Sequence, residues 1–296
     1  MDAVLQPDLA DRTGIGDFRP VAPALTSGLS FECFAPGAAL RPYVQCYWRA
    51  RGVNVGGPAS VEHLHPDGAA GLLFNFGAAL ERDGERVYGA CWIDGPKRRT
   101  ARLAVGGALD LLGVRFLPGM AFPFLGESLS ALAGGELTPA DSLHRLELEA
   151  LYERLLETPA LAGRIALLEN YLTEGLQRHG APEVSALMAS LAWLQRRQGQ
   201  ASIAALVGEL PFGQRRLERL FQQHVGLSPK RYARLLRVAH SRKLIKQGGA
   251  TISLTDTAFA AGYFDQAHFI HDFKAVTGLT PGGYREHVRR RGYGRA

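Results

Sequence analysis

ISLTDTAFAAGYFDQAHFIHDFKAVTGLTP, residues 252–281, is the stretch whose reading decides the fold. Leu254, Ala258 and Ala261 place an apolar or small face on one short helix, and Gly262 is suited to the left-handed conformation that ends it. A sharp turn then leads to Asp265, a residue type favoured as an N-cap. The segment from Gln266 to Val276 follows as a second helix, with Phe269 and Phe273 one turn apart and directed inward. Burying those two rings leaves Gln266, Ala267, His268 and His271 on the outer N-terminal face. In a helix lying in a major groove, that face reaches the base edges. For a single helix in isolation, a solvated polar face would be the better reading.

The rest of the C-terminal region removes that isolation. FQQHVGLSPKRYAR, from Phe221, matches FKAVTGLTPGGYRE, from Phe273, at a constant offset of 52, and Leu217 corresponds to Phe269 by the same shift. A fixed offset of this kind marks a repeated supersecondary unit. The first copy predicts a supporting helix over Ser202 to Gly208 and a second over Gly213 to His224. Leu217, Leu220 and Phe221 then point inward, and Gln214, Arg215, Glu218 and Arg219 point outward. Arginine can pair with guanine in bidentate fashion and glutamate can accept from the cytosine amino group, so this face carries base-reading chemistry. Between the copies, KRYARLLRVAHSRKLIK, residues 230–246, reads as one long helix able to hold the two reading helices at a fixed separation. Arg231, Arg234, Arg237, Arg242 and Lys243 on it are candidates for phosphate contacts, which position a protein on DNA without reading sequence.

Charge divides the chain at the same place. The net charge of +6 splits into −6 over residues 1–184 and +12 over residues 185–296. A positive field concentrated in one region favours a polyanion, because each neutralised phosphate releases condensed counterions. The stretch GLQRHGAPEVS, residues 175–185, has the Gly and Pro content of a linker. We therefore expect a sensor or dimerisation domain over 1–178 (β-rich at 29–118, helical at 141–178), a linker over 179–185, a DNA-binding domain over 186–290 and a basic tail over 291–296. No apolar run is long enough to cross a bilayer. The first twenty residues lack the apolar core of a secretory signal, which predicts a cytoplasmic protein. Cys33, Cys46 and Cys91 form no CxxC pair and read as reduced thiols, although Cys46 and Cys91 have a redox-sensing alternative. No nucleophile elbow, phosphate-binding loop or zinc-protease motif occurs, which argues against an enzyme, and no cofactor is implied.

In the N-terminal half, YVQCYWRA, GLLFNFGAAL, VYGACWID and ALDLLGVRF are short apolar and aromatic runs broken by Gly, Pro and Asp, the pattern of an antiparallel sheet or small barrel. From Asp141 the leucine spacing becomes helical, with a break at Thr158-Pro159. Trp48, Phe74, Phe76, Trp92 and Phe116 have spacings compatible with a common interior that could hold a small ligand, although such aromatics more often form plain core. His63, His65 and Asp67 invite a metal reading, but two histidines and a carboxylate in a proline turn are a weak signal, and we assign no metal site.

AGYFDQAHFIHDFKAVTGLTPGGYR and QRRLERLFQQHVGLSPKRYARLLR resemble the two repeated units of the AraC/XylS family of transcription regulators over roughly residues 185–290. The resemblance implies an all-α domain with two helix-turn-helix units joined by a long helix. It places the family's base-reading positions on Gln214, Arg215, Glu218 and Arg219 and on Gln266, Ala267, His268 and His271. Pro211 and Gly213 depart from the glycine and serine more usual in the first turn, and Ala267 can offer only a methyl contact. More loosely, HPDGAAGLLFNFG, GVRFLPG and PFLG resemble the sensor region of a subset of these regulators, implying a cupin-like β-region followed by helices. The expected partners are double-stranded DNA, a small-molecule effector, RNA polymerase and a second copy of the chain, with activation as the expected mode. The alternative is a constitutive regulator whose N-terminal domain only dimerises.

Overall fold

The computed structural model describes residues 29–53, 60–134, 137–139, 142–143, 146–179, 184–248 and 252–290. The expected basic tail and residues 180–183 of the expected linker lie outside these. The N-terminal part is strand-rich and the C-terminal part helical.

The strands are β1 (Leu29–Phe34), β2 (Val44–Val53), β3 (Ser60–Leu64), β4 (Gly71–Asn75), β5 (Leu80–Arg82), β6 (Glu85–Val87), β7 (Cys91–Asp94), β8 (Ala101–Val105), β9 (Ala108–Phe116) and β10 (Leu137–Pro139). They form two antiparallel sheets, one ordered β1-β2-β9-β4-β7-β10 and the other β3-β8-β5-β6. All five residues of β4 are buried, because both faces of the larger sheet are covered. On one face, Leu73, Trp92 and Leu111 meet Leu80 and Leu103 of the smaller sheet. On the other, Leu72, Phe74, Val114 and Phe116 meet the helices α1 (Phe122–Leu125), α2 (Leu148–Leu156) and α3 (Leu161–His179).

Register fixes which side chains share a face. Across four strands, Trp48 stands opposite Gly113, Gly113 opposite Leu73, and Leu73 opposite Trp92. Gly113 is what lets the indole lie down on the sheet, since a Cβ there would stand 2.2 Å from the Trp48 ring. The next row on the same face is polar: Cys46, Arg115, Gly71 and Asp94.

The C-terminal helices are α4 (Ser185–Arg196), α5 (Ile203–Gly208), α6 (Gln214–His224), α7 (Pro229–Gly248), α8 (Leu254–Ala260), α9 (Gln266–Thr277) and α10 (Pro281–Arg290). Leu187, Leu194, Leu217, Phe221, Tyr232, Phe269 and Phe273 form the centre of their common core, and none is more than 0% exposed. Met120 of the N-terminal part joins it. The helical leucine pattern read from Asp141 becomes regular helix only at Leu148, after Glu147 at φ 48°, while Leu143 and Leu146 still pack inward.

The two parts are also joined directly. The turn after β3 brings Gly68, at φ +81°, so close to the ring of buried Tyr232 that a Cβ would lie 2.7 Å from it. The Leu129 amide donates to the Gln223 carbonyl at 2.8 Å, and the Thr100 amide to the Val276 carbonyl at 2.7 Å.

Candidate nucleic-acid interface

The pairs α5/α6 and α8/α9 are built by the same local chemistry. Ser202 caps α5 by accepting from the Ala205 amide at 3.1 Å, and Ser253 caps α8 by accepting from the Asp256 amide at 2.9 Å. The turns between the helices differ. Gly262 takes φ +76° and Asp265 caps α9 by accepting from the His268 amide at 2.7 Å. In the first pair no residue from 209 to 213 has positive φ, and the N-cap position of α6 is Gly213, which has no side chain with which to cap it. The departure at Pro211 and Gly213 therefore appears as a turn of different conformation leading into a helix of the expected length.

Leu217 and Phe221 of α6, and Phe269 and Phe273 of α9, are fully buried. As a result Gln214, Arg215, Glu218 and Arg219 on α6 and Gln266, Ala267, His268 and His271 on α9 are all exposed. Gln214 donates to Glu218 Oε1 at 2.9 Å, which ties two of the first set together.

The residues proposed to meet phosphates are in more varied positions. Arg231 and Lys243 are exposed on α7. Arg234 and Arg237 turn towards Asp272 of α9, whose carboxylate is 3% exposed. Arg234 pairs with Asp272 Oδ1, and Arg237 Nη2 lies 3.4 Å from Oδ2. His268 Nε2 at 3.4 Å and His271 Nδ1 at 3.7 Å complete a ring of basic groups around this one carboxylate. Arg237 also lies over the Tyr263 ring at 5.1 Å. Burial, reinforced by Asp272, pushes the Tyr263 phenol up to about 12. Arg242 donates from Nε to the Tyr284 hydroxyl at 3.3 Å and is half-buried. Of the five, Arg234, Arg237 and Arg242 are thus engaged within the protein. Sequence patterning did not single out Asp272, because an acid on the helix after Phe269 looks like one more surface charge.

The aromatics proposed to share an interior do not come together. Trp48 and Trp92 lie on the face between the two sheets, whereas Phe74, Phe116 and Phe76 pack in the core of the helix-covered face, where Phe76 stacks on Tyr152 at 5.4 Å beneath Arg164. His63 and His65 are neighbours with ring centroids 6.3 Å apart, but Asp67 is turned away from them and pairs with Arg115. No group of three His, Cys, Asp or Glu side chains suited to a metal occurs among the described residues.

The model of a helix-turn-helix domain matches residues 206–287, from the last turn of α5 through α6, α7, α8 and α9 into α10. The C-terminal region carries a helix-turn-helix domain of the AraC type. Residues 32–138 match a domain of unknown function, DUF6597. The activator RhaS of Escherichia fergusonii is 32% identical over 123 residues, 41% of this chain and 42% of that protein. The regulator GlxA of Rhizobium meliloti is 28% identical over 168 residues, 52% of this chain and 48% of that protein. These relatives are transcription regulators, not enzymes, and the chain spans less than half the length of each. Among solved structures, ToxT of Vibrio cholerae aligns over 87% of this chain and 97% of its own at 10% identity, with a TM-score of 0.42. No described helix is long and apolar enough to cross a membrane.

Proposed function

We propose that the protein is a sequence-specific DNA-binding transcription regulator that reads its operator with two helix-turn-helix units, α5/α6 and α8/α9, and takes a small-molecule signal through its N-terminal domain. The observation that carries the reading is the simultaneous exposure of the outer N-terminal faces of α6 and α9, on a region of +12 net charge, while their opposite faces are fully buried. In this reading the boundaries fall at 1–178 for the sensor, 179–185 for the linker and 186–290 for the DNA-binding domain, and the two sheets form a cupin-like barrel. The protein works in the cytoplasm as a homodimer and activates transcription through contact with RNA polymerase. Arg215, Glu218, Arg219 and Gln214 carry more base specificity than the second set, in which Ala267 offers only a methyl group.

Selection of binding sites from random duplexes, followed by titration of Arg215→Ala on the selected and on scrambled DNA, tests the reading. The cognate sequence should lose about 1–3 kcal/mol while scrambled DNA loses much less. Equal losses on both would make Arg215 a phosphate contact, and failure to select any sequence would remove the function.

A further inference from the structure

The strand register brings two of the three cysteines together. Cys33 of β1 stands opposite Trp48 of β2. Cys46, two residues before Trp48, points to the same face and is the diagonal neighbour of Cys33 across the pair. The two thiols are hydrogen-bonded to each other. Cys91 lies elsewhere: it stands opposite Phe74 in the core of the helix-covered face, and its Sγ is 3.8 Å from the Leu148 carbonyl oxygen.

The members of the pair are unequal. Cys46 is 5% exposed and stands opposite Arg115 of β9. The hydrogen bond from Cys33, helped by the positive charge of Arg115, draws the Cys46 thiol below its ordinary value against the opposing effect of burial. The same hydrogen bond, with burial next, pushes the Cys33 thiol up. Cys46 is therefore the sulfur that ionises, and Cys33 keeps its proton and donates it. Cys33 and Trp48 are only half-buried, as is Phe31, which stacks on Trp48 at 5.6 Å, so the pair borders the open end of the inner face instead of its packed centre. A disulfide needs Cα atoms within about 7 Å, and diagonal neighbours lie near that limit. Among the described strands β1 pairs only with β2, and the register of β2 on β9 shifts between Val44 and Cys46, which leaves both strands free to make the small movement that closure needs.

We propose that Cys33 and Cys46 form a reversible disulfide in response to a hydroperoxide, with Cys46 as the attacking and Cys33 as the resolving thiol. The Cys46 thiolate attacks one oxygen of ROOH, the O–O bond breaks, the leaving alkoxide takes a proton from water, and Cys46 becomes a sulfenic acid. Cys33 then gives up its proton and attacks that sulfur; the S–O bond breaks, and hydroxide leaves with the proton as water. Two thiols and one hydroperoxide thus become one disulfide, one alcohol and one water, the two electrons lost by the sulfurs having reduced the O–O bond. An added dithiol reverses the change by exchange. The proposal stands apart from the DNA-binding and small-molecule readings, and its failure leaves both as they are.

The test treats the purified full chain with hydrogen peroxide, alkylates the remaining thiols in denaturant, and maps the chain by mass spectrometry without reduction. Chymotrypsin separates the two cysteines, because Phe34 and Tyr43 lie between them. The folded wild type should give a Cys33–Cys46 link within one chain that dithiothreitol removes, formed at least about tenfold faster than any oxidation of Cys91. In Cys33→Ser the serine hydroxyl can still donate to Cys46 but cannot resolve it, so dimedone should trap a sulfenic acid at Cys46. The wild-type map reads the link directly even where that variant folds poorly. A link between two chains, oxidation of Cys91 at an equal rate, the same rate of linking in the urea-unfolded chain, or a folded Cys33→Ser without a Cys46 adduct would each overturn the assignment.

Discussion

Replacing Asp272 by asparagine tests whether the second reading helix is anchored by charge. The carboxylate is 3% exposed, on the inner side of α9, and faces Arg234 and Arg237 of α7 together with His268 and His271 of its own helix. Asparagine keeps the shape and one acceptor oxygen but leaves two guanidiniums facing each other without a counter-charge. Breaking a fully buried pair from one side costs about 3–5 kcal/mol. Here the arginine side chains retain 26% and 18% exposure, so water screens part of the loss. About 2–3 kcal/mol is then the expected destabilisation. Urea unfolding of the full chain measures it, and a double-mutant cycle with Arg234→Gln should give a coupling of about 1 kcal/mol or more, because removing one arginine relieves the repulsion left by Asp272→Asn. Operator affinity should fall in Asp272→Asn without loss of base preference at the first unit. A destabilisation below about 0.5 kcal/mol, or strict additivity in the cycle, would show that the arginines are held by water and stacking instead of by the carboxylate.

Two other perturbations probe the joint between the parts. His65 is half-buried, with its Nδ1 2.7 Å from the Thr100 hydroxyl and its ring edge-on to Tyr284, near the charges of Arg242, His63, Lys246 and His287. Burial first, then those charges, hold its pKa well below 6.5. Burial also lowers His224 and His240. A histidine kept neutral by folding contributes stability that is complete above pH 6.5 and is lost as the pH falls from there through the lower folded-state value. Melts from pH 7.5 to 5 should decline in that window, with a shallower decline in His65→Gln; an identical pH profile for the variant would remove His65 from the account. Gly68→Ala places a Cβ at φ +81° and 2.7 Å from Tyr232, and should cost about 1–3 kcal/mol, whereas Gly208→Ala at the end of α5 meets nothing and should be neutral or stabilising. Equal melting temperatures for the two variants would mean that the turn after β3 does not press on α7.

What could be read from residues alone was local. The ends of α9 follow from Asp265 and Gly278, and its buried face from Phe269 and Phe273, all within one segment. The strand-rich character of the N-terminal half was similarly legible from composition, and β1 to β9 run from Leu29 to Phe116. Grouping the aromatics was not, because the face a strand residue occupies depends on the partner strand. Trp92 is opposite Leu73 rather than Phe74, a fact of register that puts it on the other side of the sheet from Phe74 and Phe116. The burial of Asp272 likewise depends on arginines 35 and 38 positions earlier, on a different helix.

The same long-range contacts give the Arg115–Asp67 pair a short path to the C-terminal helices. Arg115 holds Asp67, Asp67 accepts from the Ala69 amide at 3.0 Å, and the intervening Gly68 presses on Tyr232 in the first turns of α7. Tyr232 in turn accepts from Gln195 of α4 at 2.8 Å. An effector of the N-terminal domain that alters the Arg115–Asp67 pair would therefore act on the turn that carries Gly68. Coupling of this kind is reciprocal: if an effector tightens operator binding by some factor, operator DNA must tighten effector binding by the same factor. Measuring both affinities in the wild type and in Gly68→Ala separates the path from the site. Loss of the reciprocal factor with retention of effector binding would place the coupling in the turn, and its retention would require a second route, for which the Thr100 to Val276 and Leu129 to Gln223 hydrogen bonds are contacts between the two parts.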